Sequence, residues 1–183
     1  MDEKKIILGI DPGTNLLGYG VIEVQGNKLI YVGMGEIKLG MYENHGDKLQ
    51  AIYRRISELI EGFKANIVSV EAPFYGKNVQ SMLKLGRAQG VAMIAGLSRE
   101  IPITEYSPKK IKKSITGNGN ASKEQVAKML QNLLKIENLP KNLDATDGLA
   151  AAVCHFYNEG NISGNKKYLS WSSYVSKNKD KLV

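Results

Sequence analysis

The pattern of apolar and polar positions divides this chain into short strands followed by longer helices. Ile6 to Ile10 is an uninterrupted apolar run of strand length, the kind that is buried on both faces of a sheet. Gly18 to Val24 and Leu29 to Gly33 read as two more strands, joined by Gln25, Gly26 and Asn27 as a hairpin, and Glu36 to Leu39 extends the third. From Asp47 the period changes, with Leu49, Ile52, Ile56, Leu59, Ile60 and Phe63 recurring on one helical face. Ile67 to Val70 then reads as a strand, Val79 to Leu97 as a helix and Ile101 to Tyr106 as a strand. Ser107 followed by Pro108 starts a short basic helix, a cap and then a proline at the first helical position, and Gly117-Asn118-Gly119-Asn120 ends it. Ser122 and Gln125 form a capping box that opens a helix carrying Val126, Met129, Leu130 and Leu133, and a last helix spans about Leu143 to Tyr157.

Three hairpin-linked strands followed by helix, strand, helix, strand and helices predict an α/β protein. The expected architecture is a five-stranded mixed sheet, with the first, fourth and fifth strands parallel and helices on both faces. The helix Val79 to Leu97 is rich in small residues (Gly86, Ala88, Gly90, Ala92, Ala95, Gly96), which fits either packing on the sheet or a subunit interface. After Gly160 the chain turns to Ser, Asn, Gly and Lys with Tyr168, Trp171 and Tyr174 interspersed. The expected organisation is one folded domain over residues 1–158 and a polar, flexible tail over 159–183.

Composition narrows the class. A chain of 183 residues is long enough for one core. The formal charge of +7 favours polyanionic partners. No apolar run approaches the roughly 20 residues of a membrane span, and the start MDEKKIILG lacks a signal-peptide core, so a cytoplasmic protein with no membrane partner is expected. The one cysteine, Cys154, sits in the apolar run AAAVCHFY and reads as a small buried hydrophobe. His155 in that helix and His45 in a polar loop read as structural or solvated.

Four acids stand at the ends of these elements: Asp11 closing ILGID, Glu71 closing IVSVE, and Asp144 and Asp147 in LDATDGLAAAV. Ligands of sheets with parallel strands bind beyond the carboxyl ends of those strands, where Asp11 and Glu71 fall. Asp144 and Asp147, at i and i+3, share a helix face. Acids in a first helical turn are ordinary, since the helix dipole favours them. Two more acids on neighbouring strand ends turn the balance toward one shared site. Such a cluster repels itself by several kcal/mol at an effective dielectric near 20 unless cations join it. Oxygen-only ligands select hard ions, Mg²⁺ or Mn²⁺, and the chemistry that follows is metal-dependent cleavage of a phosphodiester in DNA. Two ions about 3.5 to 4 Å apart would clamp the scissile phosphate, and in-line attack by water would leave a 5′-phosphate and a 3′-hydroxyl.

The segments ILGIDPGTNLLGYGVI, VEAPFYGKNVQSMLKLGRAQGV, ITEYSPKKIKKSITGNGNASKEQV and LDATDGLAAAVCHF resemble, in order and spacing, the motifs of the RuvC Holliday junction resolvases of bacteria. The resemblance covers about residues 5–158. It implies a ribonuclease-H-like fold, a homodimer, two Mg²⁺ ions per active site with Mn²⁺ able to substitute, and paired symmetric nicks in four-way junction DNA during recombination and repair. It also implies RuvA and RuvB, the branch-migration proteins, as partners. Asp11, Glu71, Asp144 and Asp147 fall on the family's catalytic, metal-binding acids; some relatives carry His at the position of Asp144. By the same resemblance Asp11 bridges both metals, Glu71 serves the leaving-group metal, and Asp144 and Asp147 complete the set.

Lys112, Lys113 and Lys123 flank the GNGN turn, whose backbone N–H groups suit phosphate oxygens. A lysine run is often only a solvated face; the resemblance assigns Lys112 and Lys123 to DNA binding. Phe74 and Tyr75 follow Glu71 closely and read either as core aromatics or as DNA contacts, and the resemblance places Phe74 in a stack on an unpaired base at the crossover. Two rival functions compete with this reading. The string GIDPGT also resembles the phosphate loop of actin-like ATPases and sugar kinases, but this length leaves little room for their second lobe. A catalytically silent junction-binding module is the other, and retention of all four acids argues against it.

Overall fold

The computed structural model describes residues 4–73, 78–140 and 142–164. The strands are β1 (Lys5–Asp11), β2 (Leu16–Gln25), β3 (Lys28–Lys38), β4 (Ile67–Glu71) and β5 (Ile103–Tyr106). The helices are α1 (His45–Phe63), α2 (Val79–Leu97), α3 (Pro108–Thr116), α4 (Lys123–Leu134) and α5 (Asp144–Gly164). The sheet order is β3-β2-β1-β4-β5, with β1 antiparallel to β2 and parallel to β4, and β4 parallel to β5. This is the expected mixed sheet with its three parallel strands.

Side-chain alternation along β1 separates two cores. Ile6, Leu8 and Ile10 face α1 and α2, packing with Ile52, Ile56, Ala88 and Ala92. Ile7 faces the other way, into a layer built from α3, α4 and α5 with Ile111, Leu130 and Leu149. Odd-numbered residues of β1 and β4 therefore share the α5 face, a period-two consequence that sends Asp11, Ser69 and Glu71 to the same side. On α2 the small residues Ala88, Ala92, Ala95 and Gly96 are buried on the sheet, whereas Val79, Leu83, Ile94 and Leu97 are exposed.

Several boundaries move from their expected places. β2 begins at Leu16, β5 begins at Ile103, and α1 starts at His45, capped by the Asn44 side chain accepting from the Asp47 N–H at 2.8 Å. The helix α5 continues to Gly164, past the Tyr157 end that its periodicity predicts. Among the described residues no helix is long and apolar enough to cross a membrane.

Candidate active site

α5 lies directly on β1 and β2, and glycines make that possible. A Cβ on Gly18 would meet the Asp144 carbonyl oxygen, and one on Gly148 would meet the backbone of Tyr19. Backbone therefore touches backbone, with Asp11 paired to Gly18 in the β1–β2 ladder. This contact brings the first turn of α5, with Asp144 and Asp147, to the carboxyl end of β1. β4 adds Glu71 beside Asp11, one step beyond the Ile10↔Val70 pair. Three elements far apart in sequence thus present four carboxylates on one side of the sheet.

These carboxylates act on one another electrostatically. Burial, then the neighbouring Asp147, push the Asp11 carboxyl up to about 7. Burial followed by Asp11 and Asp147 push Glu71 up to about 8. Burial also raises Asp147, whereas the hydrogen bond from Lys123 holds Asp144 below the usual carboxylate range. The Lys123 Nζ donates to Asp144 Oδ1 at 2.8 Å and reaches Asp147 Oδ2 at 2.5 Å. Burial works against the Lys123 charge, but those two carboxylates outweigh it and raise its pKa. Its place at the start of α4 is fixed by the capping box, in which Ser122 Oγ accepts from the Gln125 N–H and Gln125 Oε1 from the Ser122 N–H.

The donor set suits a hard divalent cation: four carboxylates, each offering oxygen donors. Among the described residues no three acidic, His or Cys side chains close into a cage for a metal ion. Instead the Lys123 ammonium is the cation between Asp144 and Asp147, standing where positive charge is called for.

A groove of 490 Å³ opens from this cluster, lined by Glu71, Asp147, Ser107, Lys109, Lys112 and Lys123 among others. A smaller pocket of 170 Å³ on the other side contains Asp11, Glu71, Pro73, Leu85 and Gln89. Of the expected DNA contacts, Lys112 and Lys123 line the groove, whereas Lys113 is exposed outside its lining. Phe74 and Tyr75 lie outside the described residues. The GNGN turn engages several of its own backbone N–H groups. Thr116 Oγ1 accepts from the Asn118 N–H, Asn118 Oδ1 from the Asn120 N–H and the Asn118 carbonyl from the Ala121 N–H. Those donors are used inside the turn, and Lys109, Lys112 and Lys123 bring positive charge to the groove lining. Sequence reasoning missed Ser107, Lys109 and Gln89 as lining residues; the Ser107-Pro108 helix start was the local signal for the first two, and Gln89 had none.

A sheet of order 3-2-1-4-5 with carboxylates beyond the ends of its parallel strands defines the ribonuclease-H-like class. Within that class the model of the family described as crossover junction endodeoxyribonuclease RuvC matches residues 7–155. A crossover junction endodeoxyribonuclease RuvC of Christiangramia forsetii is 60% identical over all of this chain and 95% of its own length. The structure described as Thermus thermophilus RuvC in complex with Holliday junction substrate superimposes with a TM-score of 0.79 at 30% identity, covering 86% of this chain and 96% of that one. The fold extends to a yeast mitochondrial Holliday junction resolvase, with a TM-score of 0.65 at 14% identity over 86% of this chain and 80% of that one. The chain belongs to the RuvC family of endodeoxyribonucleases.

Proposed function

We propose that this chain resolves four-way DNA junctions by paired symmetric nicks, hydrolysing one phosphodiester per active site. The observation that carries this reading is the gathering of Asp11, Glu71, Asp144 and Asp147 beside a groove lined with Lys109, Lys112 and Lys123. The four acids would hold two Mg²⁺ ions, with Mn²⁺ as a substitute. Bound there, the ions would supply the charge that activates a water molecule and offsets charge building on the departing 3′ oxygen. The raised carboxyls of Asp11 and Glu71 fit this reading, because ligands left unneutralised by a cation take up protons instead.

The lysines have a separate task. Lys112 draws the phosphate backbone into the groove, and Lys123 exchanges its carboxylate partners for a phosphate once divalent cations neutralise Asp144 and Asp147. Lys113 contributes to the outer field, Phe74 stacks on a base opened at the crossover, and Tyr75 is a further DNA contact. The exposed apolar residues of α2 suit a homodimer that presents two such sites to one junction. RuvA and RuvB are the partners the family implies, in the cytoplasm, and the proposed tail outside the nuclease domain starts after the end of α5 at Gly164 instead of at residue 159.

The test is nicking of a synthetic four-way junction by purified protein with Mg²⁺ or Mn²⁺, before and after a chelator. Symmetric incisions that leave 5′-phosphates and stop on chelation are expected. Cleavage that persists after chelation would remove the metal from the reading.

A further inference from the structure

The glycine contacts that seat α5 fix its distance from the sheet but give it little purchase along its own axis. The carboxylates at its first turn need more than distance. A helix that slips by one residue advances about 1.5 Å and turns about 100°, enough to point Asp144 and Asp147 away from Asp11 and Glu71. Two buried polar contacts further along the helix oppose that slip. Ser69 Oγ, fully buried on β4, donates to the Ala151 carbonyl at 2.8 Å. Tyr106 Oη, at the end of β5, meets His155 Nδ1 at 3.2 Å, and the two rings meet edge to face with centroids 5.9 Å apart.

The placement of these groups follows the site. Residues 144, 147, 151 and 155 recur at i, i+3, i+7 and i+11, a single stripe on α5. Ser69 precedes Glu71 by two residues and so shares its face of β4, and Tyr106 is the β5 partner of Glu71 in the ladder. The Tyr106 carbonyl also accepts from the Ala72 N–H at 2.9 Å, tying the residue after Glu71 to β5. Each contact thus joins the stripe bearing the two aspartates to a strand position beside the glutamate. Burial disfavours the charged form of both His155 and Tyr106, so their contact is a hydrogen bond between two neutral groups.

We propose that Ser69, Tyr106 and His155 are positioning residues for the nuclease reaction, acting as stops that hold the α5 carboxylates in register with Asp11 and Glu71. This rests on the reading of those four acids as metal ligands. Residues that orient ligands from behind typically change metal affinity or activity by about 10- to 100-fold.

The experiment measures Mn²⁺ uptake by calorimetry on the DNA-free protein, with melting temperature and chelator-treated junction affinity recorded in parallel. The variants are Tyr106→Phe, Ser69→Ala, His155→Leu and His155→Asn, the last keeping a hydrogen-bonding group near the Nδ1 position. Ile52→Val, in the core on the opposite face of the sheet, is the control for lost stability alone. A loss of about tenfold or more in Mn²⁺ affinity for Tyr106→Phe and Ser69→Ala is expected, with junction affinity retained. His155→Asn should recover part of what His155→Leu loses. If the variants bind Mn²⁺ like the wild type, or lose no more than Ile52→Val at equal melting temperature, the positioning role is overturned while the metal site stands. A wild type that takes up no Mn²⁺ overturns both.

Discussion

At the scale of single residues the site is a contest between burial and charge. Asp11 and Glu71 sit near 7 and 8 because burial and their acidic neighbours disfavour the ionised form. Their unfolded values lie near 4, so between about pH 4 and pH 8 the folded metal-free protein binds more protons than the unfolded chain. Stability from these two groups therefore falls as pH rises through that window and is flat beyond it. The double variant Asp11→Asn, Glu71→Gln lacks this slope. In the presence of a chelator its melting temperature should gain on the wild type steadily from pH 4.5 to pH 8.5, and junctions should still bind without being cut. A constant difference across that range would show that the two carboxyls are not mutually strained. The lysines make a different forecast. Lys112→Ala and Lys123→Ala should each lower the slope of log affinity against log salt by about 0.9 on duplex arms, measured in metal-containing buffer with a cleavage-inactive acid variant. An unchanged slope would return either lysine to an ordinary solvated face.

At the scale of elements, the run length and period of the apolar positions located most of the described strands and helices: an unbroken run for β1, buried on both faces, and a one-faced helical period for α1 and α4. The hairpin signal at Gln25-Gly26-Asn27 and the Ser107-Pro108 cap fix their elements by backbone chemistry that needs no distant partner. What periodicity did not carry was contact between elements. Lys123 reads as a DNA contact only through the family resemblance, and its meeting with Asp144 and Asp147 is not legible locally because it depends on how α4 docks on α5. Gly18 and Gly20 read merely as residues of a strand, since no local rule shows that a helix will lie against them. The same close approach yields a mutational forecast. In a free helix Gly148→Ala would gain about 1 kcal/mol of propensity. Here the new Cβ meets the Tyr19 backbone, and overpacking of this kind costs about 1 to 3 kcal/mol or more, so the steric effect wins. Urea titration should show Gly148→Ala destabilised and Gly62→Ala, with open space around it in α1, neutral or stabilised. A stabilised Gly148→Ala would mean that α5 rides higher on the sheet than the backbone contact requires.

At the scale of the whole molecule, one chain supplies one cluster of acids, whereas resolving a junction takes two cuts on strands of like polarity. The exposed Val79, Leu83, Ile94 and Leu97 lie on the side of α2 away from the buried Ala88, Ala92 and Ala95. An apolar face of this kind, shared by both copies of a twofold pair, buries itself without using the groove beside the acids, so dimerisation and DNA binding need not compete. The proposed pairing has a consequence for product rather than rate. When wild-type protein is mixed with excess Asp11→Asn protein and allowed to exchange, most active dimers carry a single working site. On a supercoiled plasmid bearing an extruded cruciform, wild-type dimers should give mainly linear DNA, since both nicks fall within the lifetime of one complex. Mixed dimers should give nicked circles, because the first cut relaxes the supercoiling and the cruciform is reabsorbed before a second enzyme arrives. Linear product from the mixture in the same proportion as from the wild type alone would show that the two sites do not need to share one complex, and the dimer would lose its place in the mechanism.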